Sequence, residues 1–398
     1  MQVPSRRRRS SGFAMLAIAA LAVPATASAK GKDHHKPQPP TISAPIAQGL
    51  AGPLQLAVDK RSVYVSQSFA GLLTKFGPGG SRSDVAANPG GEISGVDVGR
   101  HHEVFFTSQN ADATTGAVTA SALNRIKRDG SSTVVRDILS YETEKNPDAD
   151  TSYGFTSIPA DCLAQWPEAV AGPAQYTGIV DSHPYAVAVA GRHSFVADAA
   201  ANAIFDISRS GHIRTVAVLP PQPAVVTAAA ATANNLPACT VGLTYNFEPV
   251  PTDVEVGRDG YLYVTTLPGG VEDASLGARG SVYRINPWSG KTRRIATGLL
   301  GATNLALGSH GRIYVSELFA NKISVIVHGT PRPLIDLPSP AGLEYAGGKL
   351  YVGYDVFANG TLATINVGRA HKGHHGHRTA HFPKDRATAK RLAHKLHL

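Results

Sequence analysis

Seven residues of this 398-residue chain combine useful chemistry with telling placement: Gln55, His183, Tyr185, Asp198, Asp253, Asn304 and Glu317. Asp253, Asn304 and Glu317 offer hard oxygen donors of the kind that hold Ca²⁺. The plainer role for Asp and Asn at strand ends is to cap turns and satisfy buried backbone groups. Other reactive patterns are missing. No Gly-x-Ser-x-Gly elbow and no His-Glu-x-x-His helix occurs. Gly77-Pro78-Gly79-Gly80 and Pro268-Gly269-Gly270 lack the Gly-Lys-Ser/Thr of a phosphate loop and read as turns. His371, His374, His375 and His377 offer imidazoles to Zn²⁺, Ni²⁺ or Cu²⁺, in a cluster of the weak, unselective kind.

Residues so far apart act together only if repeated elements bring them into register. The sequence contains such repeats. Ile46 to Val58 aligns with Ile295 to Leu307, and Val63 to Ala70 with Ile313 to Ala320, with twelve of twenty-one positions identical. The unit is an apolar strand, a polar turn, a second strand ending in Tyr-Val, a small-residue loop and a third strand. Further copies start at Ser94, Pro184, Pro251 and Pro340, making six. Gly and Asp punctuate the turns, as in Arg258-Asp259-Gly260 and Gly347-Gly348. Short antiparallel units repeated in this way imply an all-β, six-bladed β-propeller over residues 41–367. Ile42 to Gly49 matches the strand that ends one blade before the next begins, so it should close the ring as outer strand of the last blade and remove a free edge. In this register Gln55, Asp253 and Asn304 start first strands, Asp198 and Glu317 end second strands, and His183 and Tyr185 open the third repeat. All seven should then line the mouth of the axial channel as ligand-binding candidates.

The formal net charge of +9 is not spread evenly. Residues 1–40 carry +6 and residues 368–398 carry +7, which leaves residues 41–367 at about −4. A mildly acidic body without a reader motif argues against nucleic-acid binding. The basic flanks instead suit an anionic cell-envelope polymer. Arg6 to Arg9, the apolar stretch Phe13 to Val23 and Ala27-Ser28-Ala29 form the three parts of a cleavable secretory signal over residues 1–29. That stretch falls short of the ~20 residues needed to span a bilayer. A basic Pro/His linker (30–40) and a flexible, His-rich basic tail (368–398) would flank the propeller.

Two blades carry insertions, at residues 139–182 and 220–250. Cys162 lies in the first and Cys239 in the second, and in an exported chain the pair predicts one disulfide joining the two excursions on one rim. Long structured loops on one face usually mark the functional face.

Asp181 to Val189 followed by Val196 to Asn202 resembles NHL-type propeller repeats. Val250 to Val256, Thr265 to Gly270 and Gly280 to Ile285, with Tyr141-Glu142 before Asn146-Pro147-Asp148, resemble ScyD/ScyE family proteins more specifically. The resemblance spans about residues 44–365 and implies an exported six-bladed propeller; it carries no catalytic motif. The resulting expectation is a monomeric, secreted binding module for a small molecule, glycan or protein, with no required cofactor. The alternative follows six-bladed lactonases of the gluconolactonase type, which coordinate Ca²⁺ with Glu, Asn and Asp from different blades. In this chain Asp253, Asn304 and Glu317 would serve a Ca²⁺-dependent lactonase or esterase.

Overall fold

The computed structural model describes residues 39–270 and 273–367. The expected leader, most of the linker and the His-rich tail lie outside the described residues.

Alternating apolar residues and Gly-bearing turns give short strands, and these pair antiparallel into seven sheets. Sheet I is Pro53–Asp59, Ser62–Gln67, Leu72–Phe76 and Arg82–Ala87. Sheet II is Glu92–Val98, Val104–Ala111, Val118–Ile126 and Ser132–Asp137. Sheet III is Pro184–Ala190, His193–Asp198, Ala203–Ser208 and Ile213–Val218. Sheet IV is Pro251–Val256, Leu262–Thr266, Gly280–Ile285 and Thr292–Leu299. Sheet V is Ala302–Leu307, Ile313–Glu317, Lys322–Val327 and Thr330–Asp336. Sheet VI is Leu343–Ala346, Lys349–Tyr354 and Gly360–Asn366, completed from the N-terminus by Thr41–Ile42 and Ala47–Leu50. That last pairing, with Ile42 opposite Ile365 and Ala47 opposite Leu362, covers the edge of the final sheet.

The first strands of these six sheets touch in cyclic order, from I through VI and back to I. The apolar core divides in the same way, into wedges between neighbouring sheets. Ala57, Tyr64, Ile93 and Phe106 join I to II, Phe105 and Phe205 join II to III, and Phe195 and Val254 join III to IV. Val282 and Leu305 join IV to V, Tyr314 and Leu350 join V to VI, and Leu56 and Leu362 join VI to I. Each sheet has two apolar faces that only its neighbours can bury, which is the packing logic of a β-propeller.

The insertions are more than loops. Gln175–Thr177, Ser152–Phe155, Thr244–Phe247 and Gln222–Val225 build a four-stranded accessory sheet, in that order. Helix Ile138–Lys145 leads into it, capped by Asp137, whose Oδ1 accepts from the Ser140 amide at 3.0 Å, and ended by Asn146 in the left-handed region at φ 33°. Cys162 and Cys239 are disulfide-bonded with Cα atoms 5.7 Å apart, tying one insertion to the other as expected.

Candidate functional site

The first strands of sheets I, III and IV each bulge after their opening proline, at Leu54, Tyr185 and Thr252. A bulge re-aims the side chains that follow it, and here it delivers Gln55 and Asp253 to the axis. Gln55 Nε2 donates to the Thr252 carbonyl at 3.1 Å. With its amide nitrogen on the carbonyls of Leu54 and Ala341, Asn304 accepts from Gln55 Nε2 at 3.0 Å. Asp253 accepts from its neighbour Val254 at 2.9 Å and from the Leu305 amide of sheet V at 2.8 Å. Gln55, Asp253 and Asn304 therefore meet, as their register predicts, in a buried network stitching sheets I, IV and V.

Asp198 and Glu317 are fully buried caps within their own sheets. Asp198 Oδ1 accepts from the His183 amide at 2.7 Å, and Glu317 Oε2 from the Leu300 amide at 2.9 Å. Gln67, at the same position of sheet I, accepts from the Ala51 amide at 3.0 Å. One device thus secures the chain entering three sheets. Glu317 Oε1 is also held by Ser324 and lies 3.6 Å from Lys322 Nζ. The oxygens of Asp253 and Glu317 are thus engaged by the protein itself. Among the described residues, no three His, Cys, Asp or Glu side chains form a ready metal-ligand group.

A further layer on the axis escaped the sequence reading. Opposite the aromatic of each second strand stand Ala57, Asp97, Ala188, Glu255, Ala306 and Glu344, in sheets I to VI. Acid and alanine alternate around the ring, so three carboxyls from alternate sheets approach one another with small residues between them. Burial raises all three, and repulsion from neighbouring carboxyls adds to it for Glu255 and Glu344. Asp97 is raised to about 6 and Glu344 to about 8, while Glu255 is driven well above the usual carboxyl range by burial and then by Glu344. Burial likewise raises Asp253 to about 7.

His183 and Tyr185 flank the opening proline of sheet III, their rings 5.5 Å apart. His183 Nε2 lies 3.0 Å from Glu92 Oε2, while Ser94 donates to Glu92 Oε1 at 2.7 Å. Burial pulls His183 down, yet its hydrogen bond to Glu92 and the charges of Glu92, Asp198 and Asp181 leave it raised overall. Tyr185 packs with Leu54, Leu318, Phe319, Ala341 and Val356, an apolar lining drawn from several sheets. Beside it Phe69 and Phe357 stack at 6.2 Å, both more than half exposed.

An aromatic-lined cavity lies elsewhere. A cavity of about 490 Å³ opens at the accessory sheet, lined by Phe155, Trp166, Tyr176, Tyr245, Phe247 and Glu248 among others. Phe155 meets Trp166 and Tyr245 edge-on at 5.0 Å each, and Tyr245 tilts against Phe247 at 4.6 Å. Tyr176 donates to Glu248 Oε1 at 3.1 Å. Burial raises the Glu248 carboxyl above its ordinary value. Arg279 lies 4.3 Å over the Phe247 ring. None of these residues was singled out in the sequence, although the alternation Tyr245-x-Phe247 and the crowding of aromatics into two insertions were the available signals.

No family model matches the chain, and no curated protein matches it. Solved structures similar to it include the PQQ-bound aldose sugar dehydrogenase of Streptomyces coelicolor, 11% identical with a TM-score of 0.51 over 83% of this chain and 99% of that one. A gluconolactonase from Xanthomonas campestris is 11% identical with a TM-score of 0.48, covering 83% and 95%. Virginiamycin B lyase from Staphylococcus aureus is 16% identical with a TM-score of 0.45, covering 82% and 98%. Such identities speak to fold alone. With the sheet arrangement above, the similarity to the dehydrogenase establishes a β-propeller.

Proposed function

We propose that the chain is an exported, six-bladed β-propeller of the ScyD/ScyE type that binds a small ligand in the cavity beneath its accessory sheet. The observation carrying this reading is the lining: five aromatic side chains around one half-buried carboxylate in about 490 Å³. That volume is within the usual range for small-molecule sites, and so is a mostly apolar wall with one charged group. Aromatic faces and Glu248 together favour a ligand with a flat or apolar body and an amine, since a cation gains both from the ring faces and from a poorly solvated carboxylate. The disulfide between the insertions agrees with an oxidising compartment. The basic tail would then hold the protein at an anionic envelope polymer. Titrating the purified chain with an amine-bearing small-molecule library, read by tryptophan fluorescence and calorimetry, tests the site. Hits should lose at least tenfold in affinity in Trp166→Ala and Glu248→Gln, and hits unaffected by both substitutions overturn it. Retention on cell envelopes that is equal with and without residues 368–398 at every salt concentration overturns the role given to the tail.

A second reading, hydrolysis at the channel mouth, rests on the His183–Glu92 pair at 3.0 Å. A carboxylate that orients and charges an imidazole is the usual setting of a general acid or base. The engagement of Asp253 and Glu317 by backbone amides counts against Ca²⁺ on the trio with Asn304. Hydrolysis of simple lactones or esters by the wild type that His183→Ala abolishes would favour this reading over binding alone.

A further inference from the structure

Four buried oxygens within seven residues have no hydrogen-bond donor. They are Oε1 and Oε2 of Glu142, Oδ1 of Asn146 and Oδ1 of Asp148. Glu142 is 0% exposed and Asp148 1%. An unmatched buried carboxyl is among the costliest groups a fold can contain; here Glu142 has no donor on either oxygen and Asp148 none on one of its two.

The Asp148 charge acts on Glu142, and local structure fixes where each group lies. Glu142 lies on the last turn of helix Ile138–Lys145, and the Asn146 amide donates to the Glu142 carbonyl at 2.8 Å, so the helix ends directly beneath it. Asn146 turns its Nδ2 outward to the Gly178 carbonyl at 3.1 Å, which leaves its Oδ1 for the interior. Asp148 is fixed through its other oxygen, which accepts from Tyr153 Oη at 2.9 Å and Asn202 Nδ2 at 3.0 Å. A methyl group on Gly178 would stand 2.1 Å from Asp148 Oδ1, so only glycine leaves that oxygen its place. The neighbouring charges that act on Glu142 are Asp198, Asp148 and Asp181, all of one sign. Asp198 is held by Ser182 at 2.7 Å and by backbone amides, and so cannot serve Glu142 as a donor.

We propose that Glu142, Asn146 and Asp148 form a site for a hard divalent cation, with Ca²⁺ as the ion it fits. Two carboxylates and an amide oxygen form an all-oxygen set without imidazole or thiolate, which disfavours Zn²⁺ and Cu²⁺. Ca²⁺ completes six to eight ligands with carbonyls and water and tolerates irregular geometry, whereas Mg²⁺ demands a near-ideal octahedron. The site is separate from Asp253, Asn304 and Glu317. It would fasten the first insertion to sheet III, because Asn202, which holds Asp148, also accepts from the Val250 amide at 3.2 Å. Tyr153 carries the contact onward to Tyr176, in the cavity wall, at 5.5 Å between rings.

The test uses the full chain stripped with EDTA and passed over chelating resin. Titration with CaCl₂ should show one site per chain by calorimetry and raise the Tm by several degrees, with a smaller response to MgCl₂. Glu142→Gln and Asp148→Asn should each weaken Ca²⁺ binding at least tenfold while keeping the wild-type far-UV dichroism. If either variant fails to fold, Tb³⁺ luminescence excited through tyrosine in the wild type, displaced by Ca²⁺, gives an independent readout. The absence of both heat and a Tm shift from millimolar Ca²⁺ in the stripped wild type overturns the proposal. So does an undiminished response in folded Glu142→Gln.

Discussion

Glu255 of sheet IV and Glu344 of sheet VI share a hydrogen bond on the axis, although 89 positions separate them and no sequence motif links them. A carboxyl–carboxyl bond requires a proton, so at least one of the two stays protonated where an exposed glutamate would not. Asp97 and Asp253 face the same space and strengthen the effect.

Stability should therefore depend on pH in the direction opposite to ordinary acid denaturation. Each of these carboxyls holds its proton more firmly folded than unfolded. The stabilisation is complete below the unfolded values near 4 and is lost as pH rises through about 6 for Asp97, 7 for Asp253 and 8 for Glu344. Urea midpoints should fall between pH 5 and pH 9, reflecting a loss of unfolding free energy on the order of a few kcal/mol in total. In the double variant Glu255→Gln, Glu344→Gln the slope should flatten. A midpoint that rises over this interval contradicts the assignment.

Reducing the disulfide should loosen the accessory sheet before the ring of six sheets. Closing a loop of 77 residues' separation constrains the unfolded chain by on the order of 4 kcal/mol in the entropy model. Cys162→Ser with Cys239→Ser should lower the Tm and speed hydrogen exchange over 150–178 and 222–247, leaving the inner strands of sheets I, V and VI protected. Uniform loss of protection would show that the accessory sheet is integral to the ring's stability.

Gly178→Ala places a methyl group against Asp148 Oδ1. Overpacking of this kind costs about 1–3 kcal/mol, measurable as a lower urea midpoint. A midpoint equal to wild type would mean that Asp148 can move aside freely.

Trp166 should report the cavity. The chain has two tryptophans, and Trp288 lies apart from the cavity, against His193 and Arg214. In a Trp288→Phe background, a ligand entering the cavity should shift or quench the remaining emission. Binding detected by calorimetry without any spectral change would place the ligand elsewhere.

Much of the ring was legible in the chain because its signals are local. Alternation at period two, an aromatic residue in each second strand (Tyr64, Phe105, Phe195, Tyr263, Tyr314 and Tyr351) and glycine-rich turns recur along the chain, and the copies bury equivalent faces. Gln55, Asp253 and Asn304 were found through that register, and they do meet. Register alone could not show that Asp198 and Glu317 would turn inward as caps, since this depends on which amide each carboxylate reaches after the bulge. The two cysteines were readable as a pair because a chain with two has one way to join them.

What the sequence determined by itself is the repeated unit and the strand that returns to its last copy. Only the tertiary structure decided the rest. It paired Ser152–Phe155 with Thr244–Phe247 across two insertions that resemble no other repeat. It gathered five aromatics around Glu248, set acids on alternate sheets face to face, and left the oxygens of Glu142, Asn146 and Asp148 without donors. The physical reason is the same in each case. Strand period and turn chemistry act between near neighbours in the chain, whereas cavities and charge clusters arise between residues that ring closure makes neighbours in space.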